Sequence, residues 1–106
     1  MQVTVSSRVS KAADNNLSPS QKERFKEFVN NFEETNYSLG GLNLSVTFES
    51  IEYDNFTRRH SVRLLFTLGD LSAYTRIGLS TEGYPRSVSE CVTRIMNYVI
   101  NNIHGN

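Results

Sequence analysis

Three consecutive runs of alternating apolar and polar residues, between Leu42 and Ser80, limit this chain more than any other feature. Leu42, Leu44, Val46 and Phe48 alternate with Asn43, Ser45, Thr47 and Glu49. Val62, Leu64, Phe66 and Leu68 then alternate with Ser61, Arg63, Leu65 and Thr67. Ala73, Thr75, Ile77 and Leu79 repeat the pattern against Ser72, Tyr74, Arg76 and Gly78. A period of two puts each apolar set on one face of a sheet. The expectation is a three-stranded antiparallel meander with one buried face. Gly69-Asp70 is short enough for a two-residue hairpin turn, and Asp54-Asn55 marks a longer polar connection over 52–59. The alternation slips once, where Ile51 and Tyr53 take the parity opposite to Phe48. Either a bulge or apolar residues on the open face accounts for that slip.

The flanks complete the layers. Met1 to Val9 reads as a short edge strand with Val3, Val5 and Val9 on one side, and Ser10 to Asn16 as a polar loop. Ser18, Pro19 and Gln21 form an S-P-x-Q helix start, with Ser18 as N-cap and Gln21 closing a capping box. Phe25, Phe28, Val29 and Phe32 then follow the spacing of one buried helical stripe. Gly40-Gly41 leads into the meander. After Glu82-Gly83 a second helix runs to about Ile103, started at Tyr84-Pro85 or at Ser87 with Glu90, and Gly105 stops it. Its stripe is Val88, Cys91, Val92, Ile95, Val99 and Ile103, widened by Met96 and Ile100. The order is β-α-β-β-β-α: a two-layer α+β fold, residues 1–106 as a single domain, with four strands and two helices on one face.

Composition removes several function classes. The 106 residues hold 11 basic and 11 acidic side chains, so the formal charge is zero and a diffuse polyanion-binding surface is not expected. One cysteine, Cys91, excludes an internal disulfide, and its place on an apolar stripe suits a core residue better than a nucleophile. His60 and His104 have no partner at metal-ligand spacing, and no glycine-rich phosphate loop occurs. The acids Glu49, Glu52 and Asp54 near one hairpin, and Glu33-Glu34 near a helix end, fit solvated charge. No catalytic residue, metal or cofactor is expected, and no stretch is apolar enough to be a signal peptide or a membrane span. The expectation is a non-enzymatic cytoplasmic protein.

Of the residues that suggest binding, Arg63 and Arg76 lie on the polar parity of neighbouring strands. Arg58, Arg59, Arg63 and Arg76, with Tyr74 on the same face as Arg76, suit phosphate contact and base stacking. The plainer reading is a charged sheet face with Glu49 as a cross-strand neighbour. Ile51, Tyr53, Leu65 and Tyr74 on the open face suit a different use, docking a protein partner or a second copy of the chain.

The element order resembles that of the ribosome hibernation-promoting factors, also known as the ribosome-associated inhibitor A family. Those proteins begin directly with a strand, often Met-Gln followed by alternating apolar residues, as Met1-Gln2-Val3-Thr4-Val5 does here. Ser80-Thr81-Glu82-Gly83 is similar to the family's Ala-Glu-Gly junction into the final helix. The resemblance implies a ribosome- or RNA-associated regulator of translation that grips phosphate through Arg58, Arg59, Arg63 and Arg76. The chain departs from the family after Gly83, where Tyr84-Pro85-Arg86 stands. It departs again at its end, where Asn101-Asn102-Ile103-His104-Gly105-Asn106 replaces a lysine- and arginine-rich tail. Neutral charge and the missing tail favour the alternative, a small inhibitor or adaptor that binds protein. A double-stranded-RNA-binding domain shares the α-β-β-β-α part of the order. It would bring lysines to the start of the last helix, where only Arg86 stands.

Overall fold

A face made of Val46, Phe48, Val62, Leu64, Phe66, Leu68 and Ile77 has to be covered, and every one of these side chains is buried. A computed structural model describes residues 1–34, 38–39, 42–79, 88 and 90–97 of the chain. The described chain is α+β. Strand β1 (Gln2–Val5) is followed by helices α1 (Ser7–Asn16) and α2 (Pro19–Glu34). Two-residue strands β2 (Ser38–Leu39) and β3 (Leu42–Asn43) come next, then the long strands β4 (Ser45–Asp54), β5 (Arg59–Leu68) and β6 (Leu71–Gly78). Residues 90–97 form helix α3.

The main sheet has the order β1-β4-β5-β6. The meander β4-β5-β6 is antiparallel throughout, while β1 pairs parallel to β4, with Val3 opposite Val46 and Val5 opposite Phe48. Parallel neighbours need a crossover, and α1 and α2 supply it. β1 is thus the edge strand expected at the start of the chain. Buried residues from all three helices join the sheet's apolar face in one core, so the helices share that face. Phe32 sets its ring edge-on against Phe48 and Phe66, with centroids 5.8 Å away in each case, and Phe25 does the same to Phe48 at 5.4 Å. Edge-on rings of this kind add about 0.5–1.5 kcal/mol beyond the area they bury.

Local chemistry explains the boundaries. At α2, Gln21 donates its backbone N–H to Ser18 Oγ at 3.3 Å, and Ser18 donates its own to Gln21 Oε1 at 3.0 Å. That is the reciprocal capping box expected there. The expected stripe of the last helix is present as buried Val88, Cys91, Val92 and Ile95 with Met96 half-buried. Its proposed starts at Tyr84 and Ser87, and the positions of Val99, Ile100, Ile103, His104 and Gly105, lie outside the described residues, as do Gly40, Gly41 and Arg86. Gly69 makes the tight β5–β6 turn at φ 60.

Three expectations are corrected. Val9 and 10–16 are neither strand nor loop but α1, so the described residues hold three helices rather than two. Ser6 caps this helix by accepting from the Val9 N–H at 3.2 Å. Val9, Ala13 and Leu17, four residues apart, then bury one stripe. Leu42 and Asn43 pair with Leu39 and Ser38 in a small separate hairpin, so the first meander strand starts at Ser45. Ile51 and Tyr53 do not lie on the open face. The register shifts between Phe48 and Ser50, which sets Ile51 opposite Val62 and Tyr53 opposite His60, back on the helix-covered side.

Candidate nucleic-acid or protein interface

The face of the sheet away from the helices follows from the register. β5 contributes Ser61, Arg63, Leu65 and Thr67, opposite Gly78, Arg76, Tyr74 and Ser72 of β6. Arg63 and Arg76 are direct cross-strand partners, an arrangement that repels unless each charge is answered. Both are answered. Arg63 Nε lies 3.4 Å from Glu49 Oε2, and Arg76 Nε lies 3.2 Å from Glu52 Oε2. The bulge supplies Glu49, the residue between the two halves of the β4 register. β5 lies between Arg76 and Glu52, and Ser61, the direct neighbour of Glu52, is small enough for that pair to cross it. Arg63 also stacks on its diagonal neighbour Tyr74, with its guanidinium carbon 4.3 Å from the ring centre. Leu65 sits beside Tyr74 as its direct partner, and Tyr74 is 51% exposed. This part of the site is charge-balanced, with an aromatic ring at its centre.

The other two arginines lie at the far end of the β4–β5 hairpin. Arg59 is four residues from Arg63 along β5, roughly 13 Å at strand rise. Asp54 Oδ1 accepts the Phe56 N–H at 2.8 Å and the Thr57 N–H at 3.4 Å, an Asx turn that fixes the connection. Those backbone hydrogen bonds hold the Asp54 carboxyl below its ordinary range, with a smaller contribution from the charge of Arg76. The same turn leaves Phe56 96% exposed. Arg58 closes it at φ 56, in the left-handed region that glycine occupies freely and that costs other residues about 1–2 kcal/mol. Neither Arg58 nor Arg59 forms an ion pair among the described residues. With Gln21 and His60 they wall a depression of about 250 Å³, and the His60 ring lies 4.8 Å from that of Tyr53.

The five sequence-predicted residues therefore form two groups. Arg63, Tyr74 and Arg76 are brought together on the open face, and Arg58 and Arg59 stand apart at the hairpin end. Of the apolar set, Leu65 and Tyr74 meet, while Ile51 is half-buried against the core and Tyr53 belongs with His60. Sequence reasoning missed Phe56, because a single aromatic in a polar loop carries no periodicity. Its signal was the neighbouring Asp54-Asn55, which marks a tight turn and so an outward-pointing side chain.

Among the described residues no three His, Cys, Asp or Glu side chains come close enough to hold a metal. Burial pushes the Cys91 thiol up, against a smaller opposing effect from Arg94. No described helix is long and apolar enough to cross a membrane. No family model matches the chain, and neither a curated protein nor a solved structure does.

Proposed function

We propose that the protein is a non-enzymatic, RNA-associated regulator that docks through the end of its β4–β5 hairpin, with the ribosome as its target and the cytoplasm as its place of action. One observation carries this reading. The hairpin end presents Phe56 almost fully exposed beside Arg58 and Arg59, neither in an ion pair among the described residues. An exposed ring gives a base something to stack on, worth about 1–3 kcal/mol. A guanidinium fits phosphate in a planar, two-pronged contact. The turn also keeps an arginine at a φ that glycine would hold without cost, which fits a side chain retained for its use. The ribosome is favoured over other RNAs by the resemblance of the sequence to the hibernation-promoting factors, from whose β-α-β-β-β-α order the chain departs by the added helix α1 and the small β2–β3 hairpin.

The open face supports a second reading, a protein-interaction module. Arg63 and Arg76 already have carboxylate partners, so phosphate would have to displace Glu49 and Glu52. An exposed tyrosine flanked by Leu65 and a stacked arginine is instead the kind of group that anchors protein interfaces.

Co-sedimentation with ribosomes across a salt series tests both. On the first reading the protein pellets at low salt and is released steeply by moderate salt. Arg58→Glu with Arg59→Glu then abolishes pelleting, Phe56→Ala weakens it about tenfold, and Tyr74→Ala leaves it unchanged. On the second reading binding persists at about 1 M salt, where the Debye length is about 3 Å, and Tyr74→Ala destroys it. A wild-type protein that never pellets with ribosomes at low salt overturns the first reading.

A further inference from the structure

β6 ends the sheet, and among the described residues no strand pairs with its outer edge. Proteins usually protect such an edge by making it short, bulging it, or placing proline, lysine or an inward-facing charge on it. The opposite edge, β1, is only four residues long. β6 has eight residues, pairs with β5 in an unbroken register, and contains neither proline nor lysine. Its one charge, Arg76, points to the open face. On the other face Leu71, Ala73 and Thr75 stay half-buried, so the helices stop short of the margin.

The tight turn decides which backbone groups face outward. In a two-residue hairpin the closing pair, here Leu68 and Leu71, is hydrogen-bonded, and such pairs alternate along the ladder. The N–H and C=O groups of Ser72, Tyr74, Arg76 and Gly78 therefore point away from β5.

We infer that β6 pairs antiparallel with β6 of a second copy, about a two-fold axis at Thr75, to give one continuous eight-stranded sheet. The register is selected by charge and size. Centring on Arg76 would set two arginines face to face. Centring on Thr75 sets Arg76 opposite the partner copy's Tyr74 twice, a cation beside an exposed ring. On the helix-covered face it sets half-buried Ala73 and Leu71 opposite the partner copy's buried Ile77 and Leu79, and half-buried Thr75 opposite its own copy, so apolar side chains meet apolar side chains across the seam. The inference concerns a different surface from the hairpin end and does not rest on the RNA reading.

Thr75 would meet its own copy in a non-hydrogen-bonded pair, where Cα atoms lie about 4.5 Å apart. That separation is within disulfide range. The test is light scattering of the full chain over a concentration series, together with oxidation of Thr75→Cys and, separately, Tyr74→Cys, each in a Cys91→Ala background checked by circular dichroism. The expected result is a concentration-dependent dimer that Ser72→Pro weakens about tenfold or more through lost backbone bonds, with Thr75→Cys cross-linking and Tyr74→Cys not. A protein that stays monomeric throughout, or cross-linking through Tyr74→Cys in preference to Thr75→Cys, overturns the proposal.

Discussion

At the scale of single residues, Asp54 shows how one carboxylate decides what a loop presents. Its acceptor bonds to Phe56 and Thr57 exist fully only when it is ionised. The folded-state pKa is lowered, so the bonds contribute stability above the ordinary value of 3.8 and lose it as pH falls below that value, through the folded pKa. In an NMR titration the Phe56 and Thr57 amide resonances are expected to move together, with a midpoint below 3.8. In Asp54→Ala both amides should lack that transition. A midpoint at or above the ordinary value would remove the Asx turn as the clamp on the hairpin end. Residue identity alone revealed the turn but not its product. Asp54-Asn55 announced the reversal, whereas the exposure of Phe56 depends on which amides the carboxylate captures. Ile51 is the converse case. Its side was ambiguous from parity, because one extra residue at the bulge reverses every later position on the strand.

Among the elements, α2 was the most legible and α1 the least. α2 carries a capping box, a proline at its first position and three phenylalanines at helical spacing, so local and tertiary signals agree. Urea unfolding should show Ser18→Ala costing about 1 kcal/mol through the lost cap. Phe32→Ala should cost about 3–5 kcal/mol, since its ring is fully buried between two others. A Phe32→Ala loss below about 1 kcal/mol would mean that α2 does not seat on the sheet as described. α1 was hidden for a physical reason. Asp14, Asn15 and Asn16 read as loop residues, yet they occupy its exposed last turn. The burial depends on only Val9, Ala13 and Leu17, two of them small. Such a stripe becomes a helix only because the sheet is there to receive it.

For the whole molecule, zero net charge conceals an uneven distribution. Arginine is neutralised across the open face and, among the described residues, is without an ion pair at the hairpin end. Composition could not separate these two environments, since pairing is a property of the register. The sheet's mixed direction has another consequence. The meander closes through short turns, but β1 finds its place only when Gln2 reaches Ser45 and Val5 reaches Phe48. Bringing such distant segments together has a loop-closure cost that local hairpins avoid. Val3→Ala is therefore expected to speed unfolding while leaving the refolding rate nearly unchanged, and a matching slowdown in refolding would refute late docking. The strand made first is the last to be seated. Until it is, the ten-residue β4 stands at that margin in place of the four-residue β1, and the lifetime of that half-finished sheet sets how long a long bare edge is exposed to pairing with the wrong neighbour.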